Sequence, residues 1–368
     1  MRRGWRRRLL GEGTPWRGLI AGVVIAGAVT LAVVLIASSG KGVVSGGSPP
    51  GPYALPGPYA AGVTTLNLAG RPVEVWYPIE PGRSAAATRA SYDLRDWLPA
   101  ALAARVPAGL GSFTTDAYRD AIPATDGPFP LVLFASGLYS FRDQSTFLTS
   151  WLASWGFVVA SPEFSTDLTE FFTDLGGSNS AVHPSDYQVL LDTETLVFHD
   201  SATGTGLLAN LVRPGTVGIV GHSLGGLDAI QFAGRSDVAV YVSLAGGSVP
   251  PPADLPAKPS LYMTGSEDQD VKPASVKATY DAALPPKKFV SLPTAGHLAF
   301  TDLCLINPGH GGVAAIGAAL HMRLPAGAPF VGRAVDGCGP GNLATSVGFA
   351  IIRQDVTAEL KTYLSAGH

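Results

Sequence analysis

Short apolar runs bounded by Gly, Pro, Ser and Asp recur along the chain from residue 64 onward. Eight of them read as strands: 64–68, 73–77, 131–135, 157–161, 217–221, 238–245, 261–265 and 289–292. From residue 131 most of these runs are continuous rather than alternating, as expected for strands of a parallel sheet covered on both faces. Helical spacing of apolar residues falls between them, at 141–155, 184–198, 224–233, 273–283 and 343–364. Strand and helix in alternation predict an α/β domain with a mostly parallel central sheet of about eight strands and helices on both faces.

A different pattern precedes this. Residues 19–37, LIAGVVIAGAVTLAVVLIA, carry no charge. As a helix rising ~1.5 Å per residue the segment spans roughly 28 Å, close to the ~30 Å hydrocarbon core of a bilayer. It is longer than the apolar region of about 7–15 residues usual in a cleaved secretory peptide. The expectation is one transmembrane helix at 19–37, preceded by a basic cytoplasmic tail, 1–18. A Gly/Ser/Pro tether, 38–58, then leads to one extracytoplasmic domain, 59–368. Cleavage of the segment, giving a secreted protein, is the alternative.

Hydrophobic residues make up 46% of the chain and charged residues 14%, with a mean hydropathy of +0.24, which excludes disorder. Of 25 basic and 28 acidic side chains, six Arg and only Glu12 precede residue 38. The remainder is therefore clearly acidic, a poor binder of phosphate backbones, and nucleic acid is not an expected partner. In an oxidising compartment Cys304 and Cys338 are expected to pair.

The chemistry concentrates at Gly221-His222-Ser223-Leu224-Gly225, where a strand runs into a tight turn and then a helix. Gly-x-Ser-x-Gly in that setting exposes a serine hydroxyl and presents the Leu224 amide at a helix N-terminus. A serine needs a base. Among seven histidines, His297 follows the last sheet strand, where this motif's chain order of Ser, acid, His puts the base. His222, beside the serine on a sharp turn, reads as packed or structural. Asp268, in Gly265-Ser-Glu-Asp268 after the 261–265 strand, is the preferred acid and Asp270 the reserve. The Leu138 amide, in the loop after 131–135, is the second candidate oxyanion donor.

From Pro58 onward the chain resembles the platelet-activating-factor acetylhydrolase-like α/β-hydrolases, with their chlorophyllase-like and polyester-hydrolase relatives. The matching pieces are Gly57-Pro-Tyr-Ala-Ala-Gly62, Val75-Trp-Tyr-Pro78, Phe129-Pro-Leu-Val-Leu-Phe134, Leu152-Ala-Ser-Trp-Gly-Phe-Val-Val-Ala160, Gly221-His-Ser-Leu-Gly-Gly226 and Ala295-Gly-His297. The resemblance implies an α/β-hydrolase fold and hydrolysis of carboxylic esters through an acyl-enzyme. Ser223, Asp268 and His297 would form the triad, with Leu138 and Leu224 as oxyanion donors and no metal or cofactor. Relatives often carry His-Gly where this chain has Ser136-Gly137, which leaves the shape of the oxyanion loop open. Polyester hydrolases flank the scissile ester with aromatic side chains; the positions taken as equivalent here are Leu138 and Val220, so plastic degradation is not expected. Residues 85–126 are a candidate lid or structural flap, and 301–342 a candidate cap. A monomeric esterase or lipase acting on small-molecule or lipid esters is the leading expectation. An acyltransferase with the same triad and a non-catalytic binding module are the alternatives.

Overall fold

The computed structural model describes residues 51–170, 185–306, 313–321 and 335–364. The expected tail, the 19–37 membrane segment and most of the tether lie outside these residues, and no helix among the described residues is long and apolar enough to cross a membrane.

Ten strands form one sheet: β1 (Ala60–Leu68), β2 (Arg71–Ile79), β3 (Arg89–Asp93), β4 (Ser112–Arg119), β5 (Leu131–Ala135), β6 (Val158–Pro162), β7 (Val217–His222), β8 (Val238–Leu244), β9 (Ser260–Gly265) and β10 (Lys287–Leu292). Their order is β10-β9-β8-β7-β5-β6-β2-β1-β4-β3. From β10 to β6 neighbours run parallel; β2 is antiparallel to β6 and β1, β4 is parallel to β1, and β3 closes the edge antiparallel to β4.

Side-chain alternation along the strands builds two cores. Val132 and Phe134 face one way, toward α2 (Thr146–Ser154) and the C-terminal helix α7 (Thr345–Leu364). Leu131 and Leu133 face the other way, toward α3 (Asp186–Ala202), α4 (Leu224–Phe232) and α5 (Pro273–Ala282). Every residue of β5 and β7 is buried, which is why their sequences read as unbroken apolar runs.

Two expectations change. The sheet has ten strands rather than about eight, because residues 85–126, read as a lid or flap, contribute β3 and β4 to its edge. Trp97 and Leu98, in the turn after β3, are buried in a third apolar cluster with Phe141, Ile306, Ile316 and Leu320. That cluster joins the edge extension to residues 303–306 and 313–320, and two short helices contribute to it, α1 (Ala100–Ala103) and α6 (Ala314–Ala319). Residues 51–58, assigned to the tether, are seated on the domain. Trp151 Nε1 donates to the Tyr53 carbonyl (3.0 Å), Trp155 Nε1 to the Leu55 carbonyl (3.1 Å), and the Tyr53 amide to Gln354 on α7 (2.9 Å).

Candidate active site

β7 ends at His222, and Ser223 takes the turn with φ 60° and ψ −120°, a backbone conformation costing on the order of 1–3 kcal/mol for a residue with a side chain. The surrounding glycines make the turn possible. A side chain on Gly221 would collide with the Gly225 carbonyl, and one on Gly225 with the carbonyls of Ala135 and Ser136. Ser223 therefore sits at the N-terminus of α4, half-buried, with its amide bonded to the Leu244 carbonyl (2.8 Å).

β5 lies beside β7, with Ala135 opposite Gly221. The next residues bring Gly137 against the serine: a β-carbon there would lie 3.2 Å from Ser223 Cβ. Leu138 follows, half exposed on the rim. Neither the Leu138 nor the Leu224 amide is engaged by an acceptor among the described residues.

β9 and β10 supply the other two loops. Asp268, 1% exposed, accepts on Oδ1 from the amides of Asp270 (2.9 Å) and Val271 (2.8 Å). These bonds aim Oδ2 at His297 Nδ1, 2.8 Å away. With Nδ1 carrying the proton toward the carboxylate, His297 Nε2 is left with a free lone pair. Asp270 does not meet His297 at this bond; its side chain lines the cavity instead.

That cavity has a volume of about 340 Å³ and is lined by Ser223, His297 and Leu138 together. Its apolar walls include Leu168, Val271, Leu303 and Val313. The 301–342 segment thus reaches the site through its described residues, and its two cysteines are bonded, Cys304 to Cys338. Val220, taken as flanking the scissile bond, is instead fully buried in the core; the neighbouring residue that does line the cavity is His222. Val220 lies two residues inside β7, whereas His222 is its last residue, at the turn that opens on the cavity.

Two residues escaped the sequence. Gln144 accepts on Oε1 from the Gly137 amide (3.3 Å) and the Ser140 hydroxyl, and its amide nitrogen donates to His222 Nδ1 (3.1 Å). His222 Nε2 then donates to the His297 carbonyl (3.1 Å). This bonding calls for a neutral imidazole, and burial pushes the His222 proton affinity well below the ordinary histidine range. At the end of β5 this chain has buried Ser136, and the Gly137 amide that follows is held by Gln144. The other is Asp336, which contacts the loops of Asp268 and His297 from 39 residues beyond His297. No local motif announces either one. Among the described residues no group of three His, Cys, Asp or Glu side chains is placed to hold a metal ion.

A ferulic acid esterase from Streptomyces cinnamoneus superposes with a TM-score of 0.54 at 22% identity, over 83% of this chain and 90% of its own. The chain has the α/β-hydrolase fold. Residues 96–189 of this α/β-hydrolase match the family model of platelet-activating factor acetylhydrolase, isoform II. A carboxymethylenebutenolidase-like protein of Methylorubrum extorquens is 29% identical over 208 residues, half of this chain and 68% of that protein.

Proposed function

We propose that this α/β-hydrolase is a serine carboxylic-ester hydrolase, with Ser223 as nucleophile, His297 as base and Asp268 as the group that orients it. The observation that carries the reading is the 2.8 Å bond from His297 Nδ1 to buried Asp268, with His297 and the strained Ser223 turn opening on one cavity. Ser223 Oγ attacks the ester carbonyl carbon while its proton passes to His297 Nε2, assistance worth roughly 10²–10⁴-fold. The amides of Leu138 and Leu224 donate to the oxyanion; one such donor is typically worth about 3–4 kcal/mol. The C–O bond then breaks, the proton moves from His297 to the departing alcohol, and the acyl group remains on Ser223. Water repeats the sequence, giving its proton to His297 and releasing the acid. Asp268 holds the productive tautomer and stabilises the imidazolium in both halves.

The apolar walls and a volume near the lower end of small-molecule sites favour short acyl or aryl groups over long chains. The esterase named for ferulic acid makes aryl esters a second series worth measuring. We read residues 19–37 as a single-pass anchor that holds a monomeric catalytic domain outside the cytoplasmic membrane; the bond between Cys304 and Cys338 suits that compartment. Retention of the full chain, but not of one lacking 19–37, in alkali-washed membranes tests the anchor.

The activity test is hydrolysis of p-nitrophenyl acetate, butyrate and palmitate by the full chain and by Ser223→Ala. The expected result is a fall of at least ~10³-fold in the variant, with acetate and butyrate turned over faster than palmitate. Equal activity of both proteins would overturn the assignment of Ser223. Adding an alcohol acceptor and following the transfer product separates hydrolysis from acyl transfer.

A further inference from the structure

The acid and the base of the site come from different strands, and their productive contact depends on how two loops are held against each other. Direct links exist upstream, where the Glu267 amide donates to the Ala295 carbonyl (2.9 Å) and the Thr294 amide to Ser266 Oγ (2.8 Å). The link nearest the reacting groups is made by a third segment. Asp336 Oδ2 accepts from the Gln269 amide at 2.8 Å and from the His297 amide at 3.1 Å, while its carbonyl accepts from the Leu298 amide at 2.9 Å. Gln269 directly follows Asp268, so a single carboxylate oxygen joins the backbone beside the acid to the backbone of the base itself. A carboxylate is an acceptor at both oxygens, and bonds from amides to a charged acceptor are shorter and stronger than neutral ones.

The surroundings are cut to fit this carboxylate. A β-carbon on Gly296 would lie 2.5 Å from Asp336 Oδ1 and would also collide with the Gly337 amide, so the residue before His297 has no room for a side chain while Asp336 is in place. Two residues further on, Cys338 is bonded to Cys304, which lies in the turn Asp302–Leu305 just beyond the base. Asn342 completes the attachment, donating to the Thr294 carbonyl (3.0 Å). The disulfide therefore delivers Asp336 to its position.

Resting on the hydrolase reading above, we propose that Asp336 is a positioning residue that clamps the Asp268 loop to His297 and is itself held in register by the Cys304–Cys338 bond. It touches no substrate. Its effect is on kcat, because a displacement of about 1 Å between catalytic groups costs up to ~10²-fold in rate while leaving the ester-binding walls unchanged.

The test uses the full chain with p-nitrophenyl acetate, reporting kcat per Ser223 titrated with a fluorophosphonate, so that misfolded molecules do not count. For Asp336→Ala we expect kcat per titrated site to fall ~10–100-fold with KM within about two-fold. Asp336→Asn, which keeps one carbonyl acceptor, should recover most of that loss. Cys304→Ser with Cys338→Ser should lower kcat in the same way, and adding Asp336→Ala to that pair should cost little more, since both changes release one clamp. A kcat per site within two-fold of wild type in folded Asp336→Ala overturns the proposal, as does a loss confined to KM or a fully additive combination. If Asp336→Ala does not fold, Asp336→Glu decides. Its extra methylene moves the carboxylate while keeping charge and acceptors, and an unchanged kcat there also overturns the clamp. A wild type that neither hydrolyses the ester nor takes the label overturns the hydrolase reading itself, a result separate from any of these.

Discussion

Gln144 and His222 share a hydrogen bond that ties the two halves of the site together, from Gln144 Nε2 to His222 Nδ1 at 3.1 Å. On one side Gln144 holds the Gly137 amide, and on the other His222 holds the His297 carbonyl. The loop expected to bind the oxyanion is thereby registered against the backbone of the base. His222→Phe keeps a ring against His297, whose centroid lies 4.7 Å away, but loses both hydrogen bonds. We expect kcat to fall about ten-fold and stability by about 1–3 kcal/mol, the usual cost of leaving buried partners unsatisfied. Steady-state kinetics and urea denaturation check the two parts separately.

His222 also predicts the acid limb of the stability curve. Its folded-state proton affinity lies well below the ordinary value of 6.5, because burial and the nearby His297 disfavour the charged ring. The unfolded chain takes up a proton as pH drops through about 6.5, and the folded chain resists it. His222 therefore makes stability fall as pH decreases below that point. In His222→Phe the loss between pH 7 and pH 5 should be smaller than in wild type, as read from urea midpoints at the two pH values.

Glu163, at the end of the strand beside β5, predicts the opposite sign. Burial pushes its carboxyl from 4.5 up to about 7, although Arg142 and Trp97 both donate to it. The folded state keeps the proton through a window in which the unfolded chain has lost it. Its contribution is thus fully present below about 4.5 and is lost as pH rises toward about 7, a difference on the order of 3 kcal/mol. Glu163→Gln does not titrate. Its stability relative to wild type should rise between pH 5 and pH 8, and a flat difference would show that Glu163 is already ionised at pH 5.

Gly137 is a narrow test of the oxyanion loop. A methyl group there lies 3.2 Å from Ser223 Cβ and 3.4 Å from the His222 carbonyl, so Gly137→Ala must push the loop away from the serine. A ~10–100-fold fall in kcat/KM is expected from the displaced donor and nucleophile. Circular dichroism should show the fold unchanged.

The parts legible in the sequence are those that bury residues continuously or turn on a local motif. β5, β7 and β9 are buried throughout, and the Ser223 turn is marked by glycines two residues to either side, each required by a backbone contact. β3 and β4 escaped because they lie at the sheet edge. Their burial alternates, and Ala90, Thr115 and Ala117 are among the residues they turn inward, too small or too polar to stand out in a hydropathy pattern. Asp336 and Gln144 escaped for another reason. Asp336 acts on backbone amides distant in sequence and Gln144 joins a nearby amide to the distant His222 ring, and an Asp in a Gly-rich loop looks the same whether it clamps a catalytic loop or faces water.

The seating of residues 51–58 bears on where the chain can be severed. Tyr53 and Leu55 supply the carbonyls that satisfy the indoles of Trp151 and Trp155, and the Tyr53 ring lies edge-on against Trp155 with centroids 4.8 Å apart. A scission at residue 58 that lets 51–58 leave would strip both indoles of their acceptors and bare an aromatic face at the C-terminal end of α2. Maturation or shedding that releases an intact enzyme must therefore cut before Pro52, so that the last residues ahead of β1 leave with the domain.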